Sequence, residues 1–399
     1  MTTTADLGLY EEIRKFGAAD MAACFSCGTC TATCPLAEND ATFPRRMIRY
    51  AQVGMKDALL SSKELWSCYH CGECSESCPT EADPGEFMAA ARRYAIASYD
   101  VTGLARVMYL FPVVGTVIAV ALAAFFALFM YTAHGLQDTQ TLALFQFIPS
   151  ELIHDLGIVV MVLVVLAGLA GIIRMTRRVA HREGVGLRTV FGDRGAVARS
   201  ARAAWSSIGR ESLAQTRFRE DCDADPVVPW YRRRWLIHAL VMWGFLGLLA
   251  ATVLDYGLEL IGVKATGTPV PIWYPVRLLG TVAGLALVYG SSVMIAERAR
   301  RANRSVLTSD PSDWTLLALV WITGVTGFAI ELALYLPQPP VWGYWFFLFH
   351  VAVAMELVLL APFMKLAHVV YRPVGLFFAA LAREPHAVPA GRQVGIADG

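Results

Sequence analysis

The sequence predicts a mainly α-helical protein in which a small cysteine-rich helical domain precedes a bundle of six membrane-spanning helices. Two observations carry this expectation. Eight of the nine cysteines fall before residue 80, in two short repeats of one pattern. After residue 100 long apolar runs replace the mixed pattern, so that 56% of the 399 residues are apolar, 17% are charged and mean hydropathy is +0.48. A soluble domain usually carries about 25% charge.

The first repeat reads Cys24-Phe-Ser-Cys27-Gly-Thr-Cys30-Thr-Ala-Thr-Cys34-Pro35 and the second Cys68-Tyr-His-Cys71-Gly-Glu-Cys74-Ser-Glu-Ser-Cys78-Pro79. Both have the spacing C-x2-C-x2-C-x3-C-P of two-cluster ferredoxins. Three closely spaced thiolates take three corners of a cubane, and the fourth, before proline, reaches the other cluster. The expected ligand sets are therefore crossed: Cys24, Cys27, Cys30 and Cys78 for one 4Fe-4S cluster, and Cys68, Cys71, Cys74 and Cys34 for the other. Zinc or disulfides also use cysteine, but neither demands this four-part pattern twice with proline after it. Cys222 is isolated and reads as an ordinary thiol. Gly28 and Gly72 either bring backbone N–H groups close to a cluster or simply make turns. His70 is expected to stand outside the ligand set.

The 33 residues between Cys34 and Cys68 exceed a compact ferredoxin connection. Residues 43–60 read as short helices opened by Pro44, and 86–99 as an alanine-rich helix after Pro84. A mainly helical, ferredoxin-like domain results. Arg45, Arg46 and Arg49 face a cluster, a partner or water. Residues 1–100 carry 9 basic and 14 acidic side chains, a net of −5 (9 − 14), which excludes a nucleic-acid surface there.

Six apolar spans are marked at 107–133, 153–173, 235–256, 276–296, 314–336 and 342–366, each long enough for a hydrocarbon core of about 30 Å. The first residues lack the apolar core of a signal peptide, which predicts a cytoplasmic, reducing location for the cysteines. Charge agrees: segment 174–234 holds 14 arginines and 297–313 holds Arg298, Arg300, Arg301 and Arg304, while the opposite connections hold only Lys264. That is a positive-inside bias. The expected division is thus a cytoplasmic domain at 1–100, a multi-pass domain of the cytoplasmic membrane at 101–375 with a cytoplasmic connection at 174–234, and a cytoplasmic tail at 376–399. The connection is either a loop or a set of amphipathic helices lying on the membrane or packing on the cysteine domain.

Histidine in hydrocarbon needs a partner or a ligand. His350 and His368 stand 18 residues apart, five turns on one helix face and about 27 Å of rise, which places them at two levels. His238 and His368 are expected as opposite ligands of an inner b-type haem. His350 pairs best with His154, while His134 lies just beyond the first span. Asp255, Tyr256, Glu259 and Arg277 make an outer quinone site plausible, with helix-end solvation as the ordinary alternative. Glu356, deepest of the acids, relays protons or bonds a neighbouring helix.

With CFSCGTCTATCP and CYHCGECSESCP, residues 10–100 resemble the C subunit of heterodisulfide reductase. Residues 105–375 resemble its membrane cytochrome b partner and the gamma subunit of respiratory nitrate reductase. The fusion looks like the membrane C subunit of the quinone-interacting membrane-bound oxidoreductases. In the gamma family two haems are held by paired histidines on two helices, the later carrying them 18 residues apart, as His350 and His368 do. His238 matches the inner ligand, but Leu248 stands where the second histidine of the earlier helix is expected, and the span at 107–133 is additional. The resemblance implies menaquinone or menaquinol as exchangeable substrate, cytoplasmic heterodisulfide-reductase-A-like flavin/Fe-S partners, adenylylsulfate reductase as an associated enzyme, and one or two b-type haems.

The function expected is a membrane electron-transfer subunit passing electrons between quinol, haem and the two clusters to or from soluble partners, in sulfur metabolism. Its rivals are the membrane subunit of a thiol/disulfide enzyme of the heterodisulfide reductase kind, and a membrane anchor for a ferredoxin-like module.

Overall fold

The computed structural model describes residues 5–37, 42–138, 140–221, 228–265, 270–336, 338 and 340–383. Cys222 lies outside them. Among the described residues there are helices and loops and no strand, as the sequence predicts. The chain forms two compact units that do not follow its order: 1–106, 167–224 and 366–399 make one, and 107–166 with 225–365 the other. The segment expected to be one membrane domain, 101–375, is thus divided, because part of the long connection and the last helix pack with the cysteine-bearing chain.

In the first unit the helix Pro84–Tyr99 is buried along most of its length. Asp83 caps it, accepting the Glu86 N–H at 3.1 Å, and Pro84 occupies the first turn, where no N–H is needed. Alanines at 90, 91 and 95 let neighbours approach. Buried Arg93 donates from Nε to the Phe16 carbonyl at 2.7 Å and pairs with Glu86. The connection is helical, through Leu187–Phe191, Arg194–Ala204, a π-helix Trp205–Leu213 and Thr216–Asp221. It is tied to the cysteine segment, as one of the two helical expectations had it. Arg182 donates to Tyr50 Oη at 2.9 Å and Ser62 Oγ at 3.1 Å, Lys63 pairs with Glu183, and Tyr69 donates to Glu211. Tyr371 of the last helix, His368–Leu381, meets Trp66 and Tyr99 with ring centroids 5.4 and 5.3 Å apart.

Among the described residues six helices are long and apolar enough to cross a membrane: Pro112–Tyr131, Ser150–Glu183, Arg234–Leu260, Pro275–Ala299, Pro311–Tyr335 and Trp342–Phe363, the last closing in a short 3-10 turn. Many of their apolar side chains, Val117, Leu128, Leu166, Val253 and Val282 among them, are exposed, as lipid-facing residues must be. In the second unit successive helices run antiparallel and touch through small residues. A Cβ on Gly244 would stand 2.7 Å from Ala283 O and Leu287 N, and one on Gly290 2.7 Å from Val241 Cγ2. Close backbone approach through small residues is how membrane helices gain packing without a hydrophobic driving force. Gly244→Val is therefore expected to cost about 1–3 kcal/mol or more by overpacking, read as a lower melting temperature of the detergent-solubilised chain.

One expectation is corrected. His350 and His368 do not share a continuous helix. The α-helix ends at Leu360, 3-10 turns cover Ala361–Phe363 and Lys365–Ala367, and Met364 between them is extended at φ −119°, ψ −172°. Pro362 is the physical reason, since it has no N–H for the Val358 carbonyl and its ring crowds that turn. The break is held by Asp313, which accepts from Arg298 at 3.0 Å and Lys365 at 2.8 Å.

Candidate cluster site and membrane histidines

The two cysteine loops have one backbone path. Gly28 and Gly72 sit at φ +92° and +97°, each opening a one-turn helix, Thr29–Ala32 and Glu73–Glu76. A side chain at this φ is strained, which both readings of the glycines, a turn and a backbone close to a cluster, require. Two residues before them, Ser26 and His70 are also left-handed, at φ +63° and +58°. Nothing in their identity signals this. The His70 N–H points to Cys68 Sγ at 3.3 Å.

The loops meet through equivalent residues. Thr33 and Ser77, each just before the fourth cysteine of its motif, hydrogen-bond each other through their hydroxyls at 3.0 Å. The cysteines fall into two groups. Cys30 feels the charges of Cys24, Cys27 and Cys78, and Cys34 those of Cys68 and Cys71. Cys74 feels Cys68, Cys71 and Cys34 most among the thiols. An enclosed void is lined by Cys34, Cys68, Cys71 and Cys74, with Pro35, Leu36, Phe43, Pro44 and Met88 among its other walls. Burial pushes the Cys34 thiol up to about 12 and raises Cys30 and Cys74 as well. The first group is more open: Cys27 is exposed, its thiol lowered by the Thr29 hydroxyl, and Cys24 lines a pocket with Tyr10, Phe25, Arg49 and Gln52. Among the described residues no three His, Cys, Asp or Glu side chains are gathered to hold one metal ion. A four-iron cluster takes each thiolate on a different iron, so the donor set fits such clusters without that tight grouping. Of the three arginines singled out in the sequence, Arg45 lies 3.4 Å from the Ser26 carbonyl, Arg46 pairs with Glu64 at 3.4 Å, and Arg49 borders the open pocket.

His350 Nδ1 lies 2.9 Å from Thr326 Oγ1, whose proton goes to the Ile322 carbonyl at 2.7 Å. Thr326 therefore accepts from Nδ1–H, and Nε2 keeps its lone pair, the form a metal ligand needs. Gly327 makes room: a Cβ there would meet His350 Cε1 at 3.2 Å. His154 packs on Tyr256 with ring centroids 4.2 Å apart. Among the described residues His154 and His350 are not each other's hydrogen-bond or ring partners. His238 lies in the first turns of Arg234–Leu260, and His368 opens the last helix, in the other unit. His134 stacks on Tyr131 at 4.2 Å and is exposed.

The polar grouping expected beside them divides in two. Lys264 binds Asp255 at 2.6 Å and Glu259 at 3.5 Å, whereas Arg277 turns to Glu331 at 3.4 Å, which also accepts from Thr281 Oγ1 at 3.0 Å. The cationic partner of Glu331 lies 54 residues away, beyond any local signal. Glu356 is buried, and its Oε1 has no hydrogen-bond partner among the described residues.

The 4Fe-4S dicluster domain model matches residues 20–82, and the citrate utilization protein B model matches residues 102–388, well over half of the chain. The chain belongs to the citrate utilization protein B family. The citrate utilization protein B of Escherichia coli is 26% identical over 290 residues, 71% of this chain and 70% of that protein. The C subunit of the H(2):CoB-CoM heterodisulfide,ferredoxin reductase of Methanothermobacter thermautotrophicus is 41% identical over 56 residues, 14% of this chain and 30% of that protein. The iron-sulfur C subunit of CoB--CoM heterodisulfide reductase from Methanopyrus kandleri is 41% identical over 44 residues, 11% of this chain and 23% of its own. The chain thus spans less than a third of these two proteins. No solved structure matches it. This member of the citrate utilization protein B family is a multi-pass membrane protein whose 4Fe-4S dicluster domain gives it an electron-transfer role.

Proposed function

We propose that the chain is the membrane electron-transfer subunit of a quinone-linked oxidoreductase, exchanging electrons between menaquinol and soluble flavin/Fe-S partners on the cytoplasmic side. The observation that carries this reading is the union, in one chain, of two interlaced cysteine groups and six apolar spans. Cys24, Cys27, Cys30 and Cys78 hold one cluster, and Cys68, Cys71, Cys74 and Cys34 the other. When bound, the clusters and haem supply one-electron storage and transfer. The chain's own part is to fix their distances, exclude water from the enclosed group and tune each site. His350 and His154 would hold one b-type haem, His350 through Nε2, and His238 and His368 would serve a second. A Thr326 hydroxyl that accepts from His350 Nδ1–H, leaving Nε2 its lone pair, supports the role of His350. Arg277, Thr281 and Glu331 are the polar set suited to a quinone carbonyl. The arginine-rich connections support the cytoplasmic placement, and the short likeness to the C subunit of heterodisulfide reductase supports a partner of that enzyme's kind.

The test is to purify the full chain, quantify iron and haem, and add a menaquinol analogue. Eight irons per chain and b-type haem bands that the quinol reduces are expected; iron without haem bands would defeat the quinone route and leave an anchored ferredoxin-like module. His350→Ala is expected to remove one haem per chain by pyridine haemochromogen assay with all eight irons retained.

A second reading concerns the partner. The match to citrate utilization protein B covers 71% of the chain, which favours a soluble partner engaged in citrate use over one acting on sulfur compounds. Co-purification separates the two.

A further inference from the structure

Cys24 and Cys68 are equivalent, each the first ligand of its motif, but their carbonyls are met differently. The Cys24 carbonyl accepts from the neutral Gln52 Nε2 at 2.9 Å. The Cys68 carbonyl accepts from two guanidinium groups, Arg92 Nη1 at 2.8 Å and Arg372 Nη1 at 2.9 Å. Arg372 is locked in place, its guanidinium lying 4.2 Å over the Tyr69 ring, which stacks on Phe218 and donates to Glu211. Arg372 Nη2 is buried and has no hydrogen-bond partner among the described residues, so a donor is left over beside the void that Cys68 lines.

A four-iron cluster with four thiolates gains negative charge when it takes up an electron. An enclosed, apolar site opposes that gain, because burial disfavours charge. Fixed cations and hydrogen bonds favour it. The enclosed void lined by Cys34, Cys68, Cys71 and Cys74 is where that opposition is strong, and the two arginines converge on the carbonyl of one of its lining residues, Cys68. The acids nearby are Glu86, which pairs with Arg93 and also acts on Arg92, Glu211, whose charge is engaged by Tyr69, and Glu73 on the void's wall, which is exposed and screened by water. At the open site, Arg49 is exposed and Arg45 reaches the Ser26 carbonyl only at 3.4 Å.

We infer that Arg92 and Arg372 are the potential-setting residues of the cluster held by Cys68, Cys71, Cys74 and Cys34, supplying the counter-charge that lets this enclosed cluster accept an electron. The inference rests on the cluster reading above. It assigns to the last helix of the chain a role in tuning a centre whose ligands all lie before residue 79.

The experiment is a redox titration of the full detergent-solubilised chain monitored by electron paramagnetic resonance, with the enclosed cluster's signal identified by its loss in Cys71→Ser. Arg372→Gln and Arg92→Gln are each expected to lower that cluster's reduction equilibrium constant about tenfold, about 59 mV for a one-electron couple, and to leave the other cluster in place. Arg372→Lys, which keeps the charge, is expected to recover most of the shift, a rescue that a purely structural role would not give. Gln52→Leu is expected to leave the enclosed cluster's potential unchanged. Should Arg372→Gln lose iron, Arg92→Gln and Arg372→Lys carry the same comparison. Equal shifts of both clusters, or none in either arginine variant with eight irons present, would overturn the inference and leave the cluster reading standing. Wild-type chain without iron would overturn both.

Discussion

Cys34→Ser is expected to remove four of eight irons and to silence the cluster of the second motif, although Cys34 belongs to the first. Two observations lead there. Cys34 feels the charges of Cys68 and Cys71, and it lines the same void as Cys68, Cys71 and Cys74. Cys78→Ser is expected to mirror the result on the group of Cys24, Cys27 and Cys30. Iron analysis with electron paramagnetic resonance of the reduced chain reads both. Retention of the second-motif signal in Cys34→Ser, with loss of the first, would establish uncrossed ligation instead.

Glu86→Ala is expected to destabilise the cysteine-bearing unit by about 3–5 kcal/mol, the usual cost of breaking a buried ion pair by removing one partner. Arg93 is buried, and its Nε–H holds the Phe16 carbonyl just before Gly17 turns at φ +120°. Glu86 also offsets a concentration of like charge, since Arg92 feels Arg93 and Arg372 as well. Removing the carboxylate leaves three neighbouring guanidinium groups to repel one another. Thermal unfolding followed by loss of the visible cluster absorption is the measurement. The double variant Glu86→Leu with Arg93→Met is expected to recover much of the loss, because an apolar pair of similar volume replaces both charges; failure of the double variant to recover would assign the effect to the Phe16 contact instead.

Much of the architecture is legible in sequence because its signals are local. Each span is a long apolar run, and each of the six positions marked falls on one of the six long helices among the described residues, although 107–133 begins before Pro112 and 153–173 stops well short of Glu183. The cysteine pattern is equally local, and so are the left-handed glycines at 28 and 72. What escapes is set by distant residues or by competition between signals. The apolar run through residues 342–366 hides the break at Met364, although Pro362 marks it, because hydropathy is blind to a missing N–H. Ser26 and His70 give no sign of their positive φ, since the loop imposes it. Glu331 reads as a blemish until Arg277 is beside it. The arginines of the connection were legible as a charge bias, but Arg182 also holds Tyr50 and Ser62, a contact spanning more than a hundred residues.

The discontinuous first unit also has a temporal meaning. A growing chain emerges from the ribosome with both cysteine motifs long before Arg372, which follows Cys68 by 304 positions. Until residues 371 and 372 are made, the wall around the second motif lacks the guanidinium on Cys68 and the Tyr371 ring on Trp66. Iron delivered to the motifs before then meets an unfinished pocket, and chains cut short of residue 371 carry both motifs without the surroundings that tune them.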